Sequence, residues 1–455
     1  MMSVNRLSLS GLLVLLASCS LAPEYRRTEA LAPKQWKNEA PGLVSGSHEI
    51  SAHWWKQFGS MELDRLVAEA LNNNRDLAAA GQRIGQFRAL AKIAGAPLWP
   101  AIGVAGSYNH TDGTRTVGDA WQGQWNMAYE VDLWGGLRAA RDSAKAHFDT
   151  ARFTFDALRL VVMGDVAQSY FAIVGLKERK RIAENNLNNI TDVLAIIAAR
   201  FEAGGASALD VAQQRTERAN AAAALASLDQ QIAQAENALA VLLGRPPQQF
   251  KVNENSLQAL LIPKPDTAQA ASLFDRRPDI RSAETELIAA HADIGKARAA
   301  FYPRLQLGAD NIFTAATVSQ PAGIAVALAS SLTAPIFQGG RLEGELERTL
   351  ARRAELIEIY RKTILDAYRE VEDALALGHQ ATRRRDSLLL SVDSAGQAYG
   401  LARDRYLAGA TDYQTLLNVQ RTLLNAQDSE IQAQVDVLSA SVLLFKSLGG
   451  GWSHS

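Results

Sequence analysis

Between Trp121 and Leu133 the chain alternates. Trp121, Gly123, Trp125, Met127, Tyr129, Val131 and Leu133 fall on one parity, and Gln122, Gln124, Asn126, Ala128, Glu130 and Asp132 on the other. Period two is the signature of a strand with one apolar and one polar face. Ile102, Val104, Gly106 and Tyr108 alternate in the same way with Gly103, Ala105, Ser107 and Asn109. Later in the chain Ile324, Val326, Leu328, Leu332 and Ile336 oppose Gly323, Ala325, Ala327, Ser331 and Thr333. The pattern predicts four strands, at 100–112, 120–134, 303–315 and 322–337. One such strand fits a sheet with a wet face equally well. Four of them, each long enough for the ~9–11 residues that cross a bilayer at a tilt, predict a membrane β-barrel. Trp121, Trp125, Tyr129 and Tyr108 are then expected to face lipid, with Glu130 and Asp132 facing a lumen or lying below the membrane.

Between and after the strands the period changes. Phe148, Phe155, Leu158, Val162, Val166, Tyr170 and Ile173 recur at three-, four- and seven-residue spacings, and no proline interrupts the chain from Gly136 to Phe201. That stripe predicts one helix of about 100 Å at ~1.5 Å per residue. A matching stretch runs from Gly340 to Tyr406. Helices of this length suit a coiled coil or an α-barrel better than a compact globule. The segment from Ala219 to Leu243 is alanine-rich, which permits close helix approach.

The second half repeats the first at an offset of about 204 residues. Arg200-Phe201-Glu202-Ala203-Gly204 answers to Arg405-Tyr406-Leu407-Ala408-Gly409, Leu243-Gly244 to Leu448-Gly449, and Trp99-Pro100 to Tyr302-Pro303. Gly135-Gly136 answers to Gly339-Gly340, and Asn74-Arg75-Asp76-Leu77 to Arg277-Pro278-Asp279-Ile280. The expected organisation is a leader over 1–18, an N-terminal periplasmic segment over 19–60, a first repeat over 61–260 and a second over 261–452. Each repeat reads helix, two strands, long helix, helix.

Four strands cannot close on themselves, and an open edge in lipid leaves unpaired backbone groups at several kcal/mol each. The barrel must be shared between copies of the chain. Two copies give eight strands and a filled interior; three give twelve and room for a lumen, which the small, polar inner face suits.

The sole cysteine of the 455 residues is Cys19. Arg6, the apolar stretch Leu7 to Leu16, and small Ala17 and Ser18 precede it, as in a bacterial signal peptide. Leu16-Ala17-Ser18-Cys19 resembles a lipobox, so Cys19 is expected to carry lipid and to begin the mature chain. Beyond residue 20 no run of about twenty apolar residues offers a membrane helix. A net charge of −1 argues against a nucleic-acid partner. The seven histidines show no paired-ligand spacing, and no GxSxG elbow, phosphate loop or GxGxxG is present. No catalytic residue, metal site or cofactor is expected, and the protein reads as a non-enzyme. Gly135-Gly136 and Gly339-Gly340 read as relief where strand turns into helix. A structural coiled coil would explain the helices but not the strands.

Several segments identify a family. WWKQFGSMELDRLVAEAL at 54–71, RRPDIRSAE at 276–284, ADIGKARAAFYPRL at 292–305, RYLAGATDYQTLLNVQRTLL at 405–424 and SLGGGW at 447–452 resemble the outer-membrane efflux proteins, TolC-like and of the NodT-type lipoprotein branch. The likeness runs from about Pro23 to Trp452. It implies a mostly α fold with membrane β: a trimer whose twelve-stranded β-barrel continues into a twelve-helix periplasmic α-barrel. It implies a passive efflux duct for small toxic compounds or drugs, lipid-anchored in the outer membrane, with a periplasmic adaptor and an inner-membrane, proton-driven pump as partners. The exit duct of a type I protein secretion system shares the fold and stays open as an alternative.

The resemblance also implies a periplasmic gate at two hairpin tips, here near 200–213 and 405–418, with Gly204, Gly205, Gly409 and Ala410 facing the adaptor. Gate positions carried over are Tyr406, Gln414, Thr415 and Asn418, and Asp412 joins them as an acid of this tip. Family members commonly place acids at the positions of Thr415 and Asn418, whereas here Asp412 is the only acid from Gly409 to Gln420. A constriction of amides and hydroxyls is expected instead, with Tyr406 and Asp412 supplying the closing contacts between hairpins.

Overall fold

The computed structural model describes residues 51–113, 116–254, 256–263, 272–317 and 320–450, together with 21, 23, 25–27, 33 and 35–38. Cys19, the leader and Trp452 lie outside the described residues. In order, the elements are α1 (Met61–Asn73), α2 (Arg75–Gly95), β1 (Ala101–Gly113), β2 (Thr116–Val131), α3 (Gly136–Glu202) and α4 (Ala208–Leu242). The second half follows with α5 (Pro278–Ala299), β3 (Arg304–Thr317), β4 (Gln320–Thr333), α6 (Arg341–Leu407) and α7 (Tyr413–Ser447). The two long helices have 67 residues each, and the two that follow them 35 each.

The chain forms two compact units, each drawn from both halves of the sequence. One takes in 81–154, 279–363 and the described residues before 30. It holds a four-stranded antiparallel sheet in the order β1-β2-β3-β4. Its register keeps like with like: Tyr108 pairs with Trp121 and Val104 with Trp125, Tyr129 with Leu307 and Val131 with Leu305, Leu305 with Leu332 and Ala309 with Leu328. These residues share one face, because side chains directly opposite each other in a ladder point the same way. Ser107, Gln122, Gln124, Asn126, Glu130, Gln306 and Asp310 share the other. Asn311, between Trp125 and Val326, and Ser330, opposite Leu307, are polar residues on the apolar face.

Three residues assigned to strands by the alternation, Asp132, Leu133 and Ile336, lie beyond them. β2 ends at Val131, so Leu133 is outside it. Asp132 instead caps α3: its carboxylate accepts from the backbone N–H groups of Leu137 (3.0 Å) and Arg138 (2.9 Å), satisfying donors that a helix start leaves free. β4 ends at Thr333, so Ile336 is also outside. Pro335 intervenes, and a proline brings no N–H to a ladder.

The second unit takes in 31–80, 155–278 and 364 onward. Its core explains the segment at 54–71. Trp54 is fully buried and stacks on Phe445 at 5.3 Å. Phe58 meets Phe171 at 4.8 Å. Ser60 caps α1 by accepting from Leu63 N at 3.1 Å, and its hydroxyl lies 2.9 Å from the buried Tyr170 hydroxyl. An 18-residue window of α3 is apolar enough to pass for a membrane span, at mean hydropathy 1.4. It is 56% buried, and Val162, Met163, Val166, Tyr170, Phe171 and Ile173 of α3 belong to this core. The apolar stripe is packing surface.

The internal repeat survives as geometry. At the end of α4, Gly244 takes φ +73°, Arg245 N bonds Ala240 O at 3.1 Å, and Asn74 Nδ2 donates to Leu242 O at 2.8 Å. At the end of α7, Gly449 takes φ +74°, Gly450 N bonds Phe445 O at 2.9 Å, and Arg277 Nη1 donates to Ser447 O at 2.9 Å. An amide in one half and a guanidinium in the other tie down the same helix end.

Candidate functional site at the hairpin tips

α3 and α4 meet through five residues, Ala203 to Ser207, and α6 and α7 through Ala408 to Asp412. Gly204 and Gly409 turn the chain at φ +77° and +74°, a conformation that costs a residue with a Cβ about 1–2 kcal/mol. Each following helix is capped. Ser207 and Asp210 form a reciprocal capping box at α4. At α7 the Asp412 carboxylate accepts from Thr415 N at 2.7 Å. That bond holds the Asp412 carboxyl below the usual carboxylate range. The side chain is spent on its own hairpin, so Asp412 caps a helix where a contact between hairpins was expected.

Tyr406 does meet the other hairpin. It is buried, and the Arg200 guanidinium lies over its ring at 4.7 Å. Arg200 Nη2 also donates to Leu407 O at 2.6 Å. Burial raises the Tyr406 phenol pKa. Tyr413 packs edge-on to Tyr406 at 6.4 Å and donates its hydroxyl to Gln214 Oε1 at 2.5 Å. Gln214 is wholly buried, and its Nε2 donates to Ile190 O at 2.8 Å. Burial pushes the Tyr413 phenol up to about 12, so it keeps its proton, and its donor role, across the physiological range. Around these polar links Val193, Ile197, Val211, Ala402, Leu416 and Leu417 form a small apolar cluster. One turn further along, Arg421 pairs with Glu217.

Gln414, Thr415 and Asn418 lie on the outward face of α7, all exposed, and Gln414 Nε2 donates to Asn418 Oδ1 at 3.3 Å. The four-residue spacing places both amides on one helix face. Gly204, Gly205, Gly409 and Ala410 are exposed at the tips. The structure therefore separates two groups: a buried set that binds hairpin to hairpin, and an exposed row of neutral polar side chains.

Sequence reasoning missed most of the buried set. Arg200 stood in the repeated motif without a role assigned to it, and its counterpart Arg405 is exposed. Gln214 looked like any polar helix residue. The available signal was the pairing Glu217 and Arg421, more than two turns into α4 and α7 at matching places in the two repeats. Among the described residues no group of histidines, cysteines and acids is placed to hold a metal ion.

The profile of the outer membrane efflux protein family matches residues 66–245 and 271–450, one match per repeat. The chain is 38% identical over 472 aligned positions to the pyoverdine export outer membrane protein OpmQ of Pseudomonas aeruginosa, covering 99% of this chain and 98% of the relative. It is 33% identical to the solvent efflux pump outer membrane protein SrpC of Pseudomonas putida, covering 97% of each. The solved structure of the outer-membrane channel OprN superposes with a TM-score of 0.88 at 28% identity, over 95% of this chain and all of that one. The mostly helical fold with one membrane sheet is that of the trimeric outer-membrane efflux channels. The chain belongs to the outer membrane efflux protein family and is the outer-membrane component of an efflux system.

Proposed function

We propose that three copies close into one duct that passively passes small toxic compounds from periplasm to exterior. An inner-membrane, proton-driven pump supplies the compounds, and a periplasmic adaptor grips the exposed tips at Gly204, Gly205, Gly409 and Ala410. The observation that carries this is the sheet: one apolar face, one polar face and two unpaired edges, β1 and β4. In lipid such edges must pair, and three sheets of four strands give a barrel wide enough to conduct. At the hairpin tips Gln414, Thr415 and Asn418 line the constriction, and Tyr406 belongs to the latch that keeps it shut. Asp412 serves the gate by fixing the start of α7. Deleting the gene is expected to raise retention of small hydrophobic dyes in whole cells, and restoring the chain to reverse it. If retention is unchanged and a secreted protein is lost from the medium instead, the duct serves protein secretion.

The sheet faces make a matched pair of substitutions. Trp125→Arg is expected to cut the amount of assembled protein in the outer membrane sharply, since a charge on the lipid face costs about 2–4 kcal/mol at mid-depth. Gln124→Arg, one residue away on the polar face, is expected to leave the amount near wild type. Equal effects in a heat-resistant oligomer assay would mean that the faces are assigned the wrong way round.

Cys19 is the proposed anchor. Several acyl chains at ~0.8 kcal/mol per buried CH₂ hold a protein stably at a membrane. Cys19→Ser is expected to abolish labelling by radioactive palmitate while the barrel still inserts, because insertion depends on the strands. An unlabelled wild-type protein would refute the anchor.

A further inference from the structure

Leu21, Tyr25 and Arg27 of the N-terminal segment lie along one face of α5. Leu21 O accepts from Arg298 Nη1 at 3.4 Å. The Tyr25 ring meets His291 edge-on at 5.2 Å, and its hydroxyl donates to Glu284 Oε1 at 3.3 Å. Arg27 donates from Nε and Nη2 to the two Glu284 oxygens at 2.7 and 2.9 Å. Glu284, His291 and Arg298 recur at every seventh position, so they form one stripe along the helix. The acyl chains proposed on Cys19 must lie in the bilayer, and at most ~7 Å of chain separates Cys19 from Leu21. This strap therefore runs over the outer wall of the duct, and the opposite side of α5 is turned to the lumen.

Glu286 comes two residues after Glu284, and Asp293 two after His291. At ~100° per residue each stands about 200° round the helix from the strap. His147 of α3 meets Glu286 there, Nδ1 to Oε1 at 3.3 Å, with 37% and 31% of the two side chains open to solvent. α6 shows the same division. Arg352 faces His147 and Glu286, whereas the adjacent Arg353 faces His291 on the strap side. Resting on the trimeric duct and the Cys19 anchor proposed above, we infer that His147 and Glu286 line the helical wall of the lumen and set the charge preference of the duct. One pair from each copy makes a ring. The exposed row at the tips, Gln414, Thr415 and Asn418, has no titratable side chain and leaves this role open.

The charged groups facing His147 are Glu286 and Asp293 of α5 and Arg352 of α6. The hydrogen bond to Glu286 outweighs burial and raises the His147 pKa. The same bond holds Glu286 below the usual carboxylate range. While His147 is protonated each pair is close to neutral. As pH rises through the His147 pKa the Glu286 carboxylate loses its counter-charge, and the wall becomes more negative by one charge per copy. Cations are then favoured over anions.

The reversal potential of the full-length protein in a planar bilayer under a potassium chloride gradient reads this preference. It is measured on the wild type and in the background Arg200→Ala with Tyr413→Phe, where the latch contacts are gone. Helices ~10 Å apart put the wall of a twelve-helix ring within about 20 Å of its axis. The screening length is ~30 Å at ~0.01 M salt and ~3 Å at ~1 M. In the dilute salt, potassium preference over chloride is expected to rise several-fold from about pH 5.5 to about pH 8.5, a span that brackets histidine titration. In the concentrated salt it is expected to change little. His147→Gln is expected to hold the high preference at both pH values, and His147→Arg the low one. Glu286→Gln, from the other side of the pair, is expected to lower the preference at high pH. A threefold particle with no wild-type shift, or with the same shift in His147→Gln or an unaltered preference in Glu286→Gln, overturns the inference and leaves the duct standing. A shift that persists in the concentrated salt places the titrating group at a constriction and overturns it too. A chain that passes no current in either background removes the duct and the inference together.

Discussion

A single methyl group at Gly244 is expected to destroy assembly, whereas the same change at Gly204 is expected to be tolerated. Both glycines sit at positive φ, +73° and +77°. Alanine at either position bears the left-handed cost of about 1–2 kcal/mol. At Gly204 nothing lies within 4 Å of the added carbon, so the cost stops there. At Gly244 the carbon would sit 2.1 Å from Asn73 O and 2.7 Å from its carbonyl carbon. Those are backbone atoms at the end of α1, held by the Asn74 side chain on Leu242 O. They cannot swing aside as a side chain would. Relieving the overlap means moving α1 against α4, at roughly 1–3 kcal/mol or more on top of the conformational term. Gly449 repeats the case in the second half, its added carbon 2.5 Å from Arg276 O. Gly244→Ala and Gly449→Ala are expected to lower the yield of folded protein and the melting temperature well below Gly204→Ala. Similar melting temperatures for Gly244→Ala and Gly204→Ala would mean that the α1 contact is looser than described.

The second large effect concerns the latch. Removing Arg200 takes away the donor on Leu407 O and the cation over Tyr406. Tyr413→Phe takes the hydroxyl from Gln214, leaving the buried amide oxygen without that donor, which costs about 1–3 kcal/mol in the closed state. Both losses fall on contacts between hairpins, so they favour the hairpins parting. Arg200→Ala with Tyr413→Phe is expected to raise single-channel conductance several-fold in a planar bilayer without changing the fold. Gln414→Ala with Asn418→Ala acts on the exposed row and is expected to widen the constriction without loosening the latch. Because that row carries no charge, millimolar calcium is expected to block the channel weakly. If the double latch variant conducts like wild type, these hairpin contacts do not hold the gate.

The sequence made the fold readable because both periods were clean. A period-two run of Trp121 to Val131 has no helical alternative, and the stripe from Phe148 to Ile173 has no strand alternative. Errors fell where one element hands over to the next. Asp132 and Leu133 continued the alternation, yet a carboxylate a few residues before a helix, as Asp132 is before Gly136, has a competing use as its cap. Ile336 fitted β4 by parity, and only Pro335 warned otherwise. The gate was less legible. Exposed Gln414 and Asn418 follow from helix geometry after Asp412, a readable cap. The buried links of Arg200, Gln214 and Tyr413 join residues about 200 positions apart. A polar residue's fate in such a pair depends on which helix faces it, which no local period encodes.

The central claim is that the chain conducts only as a threefold assembly whose sheets share one barrel. Electron cryomicroscopy of the detergent-purified full-length protein tests it most directly. The account predicts a threefold particle with a closed twelve-stranded barrel and a constriction at the tips of the helical hairpins lined by Gln414 and Asn418. A monomeric or dimeric particle, or a sheet left open at β1 and β4, would contradict it.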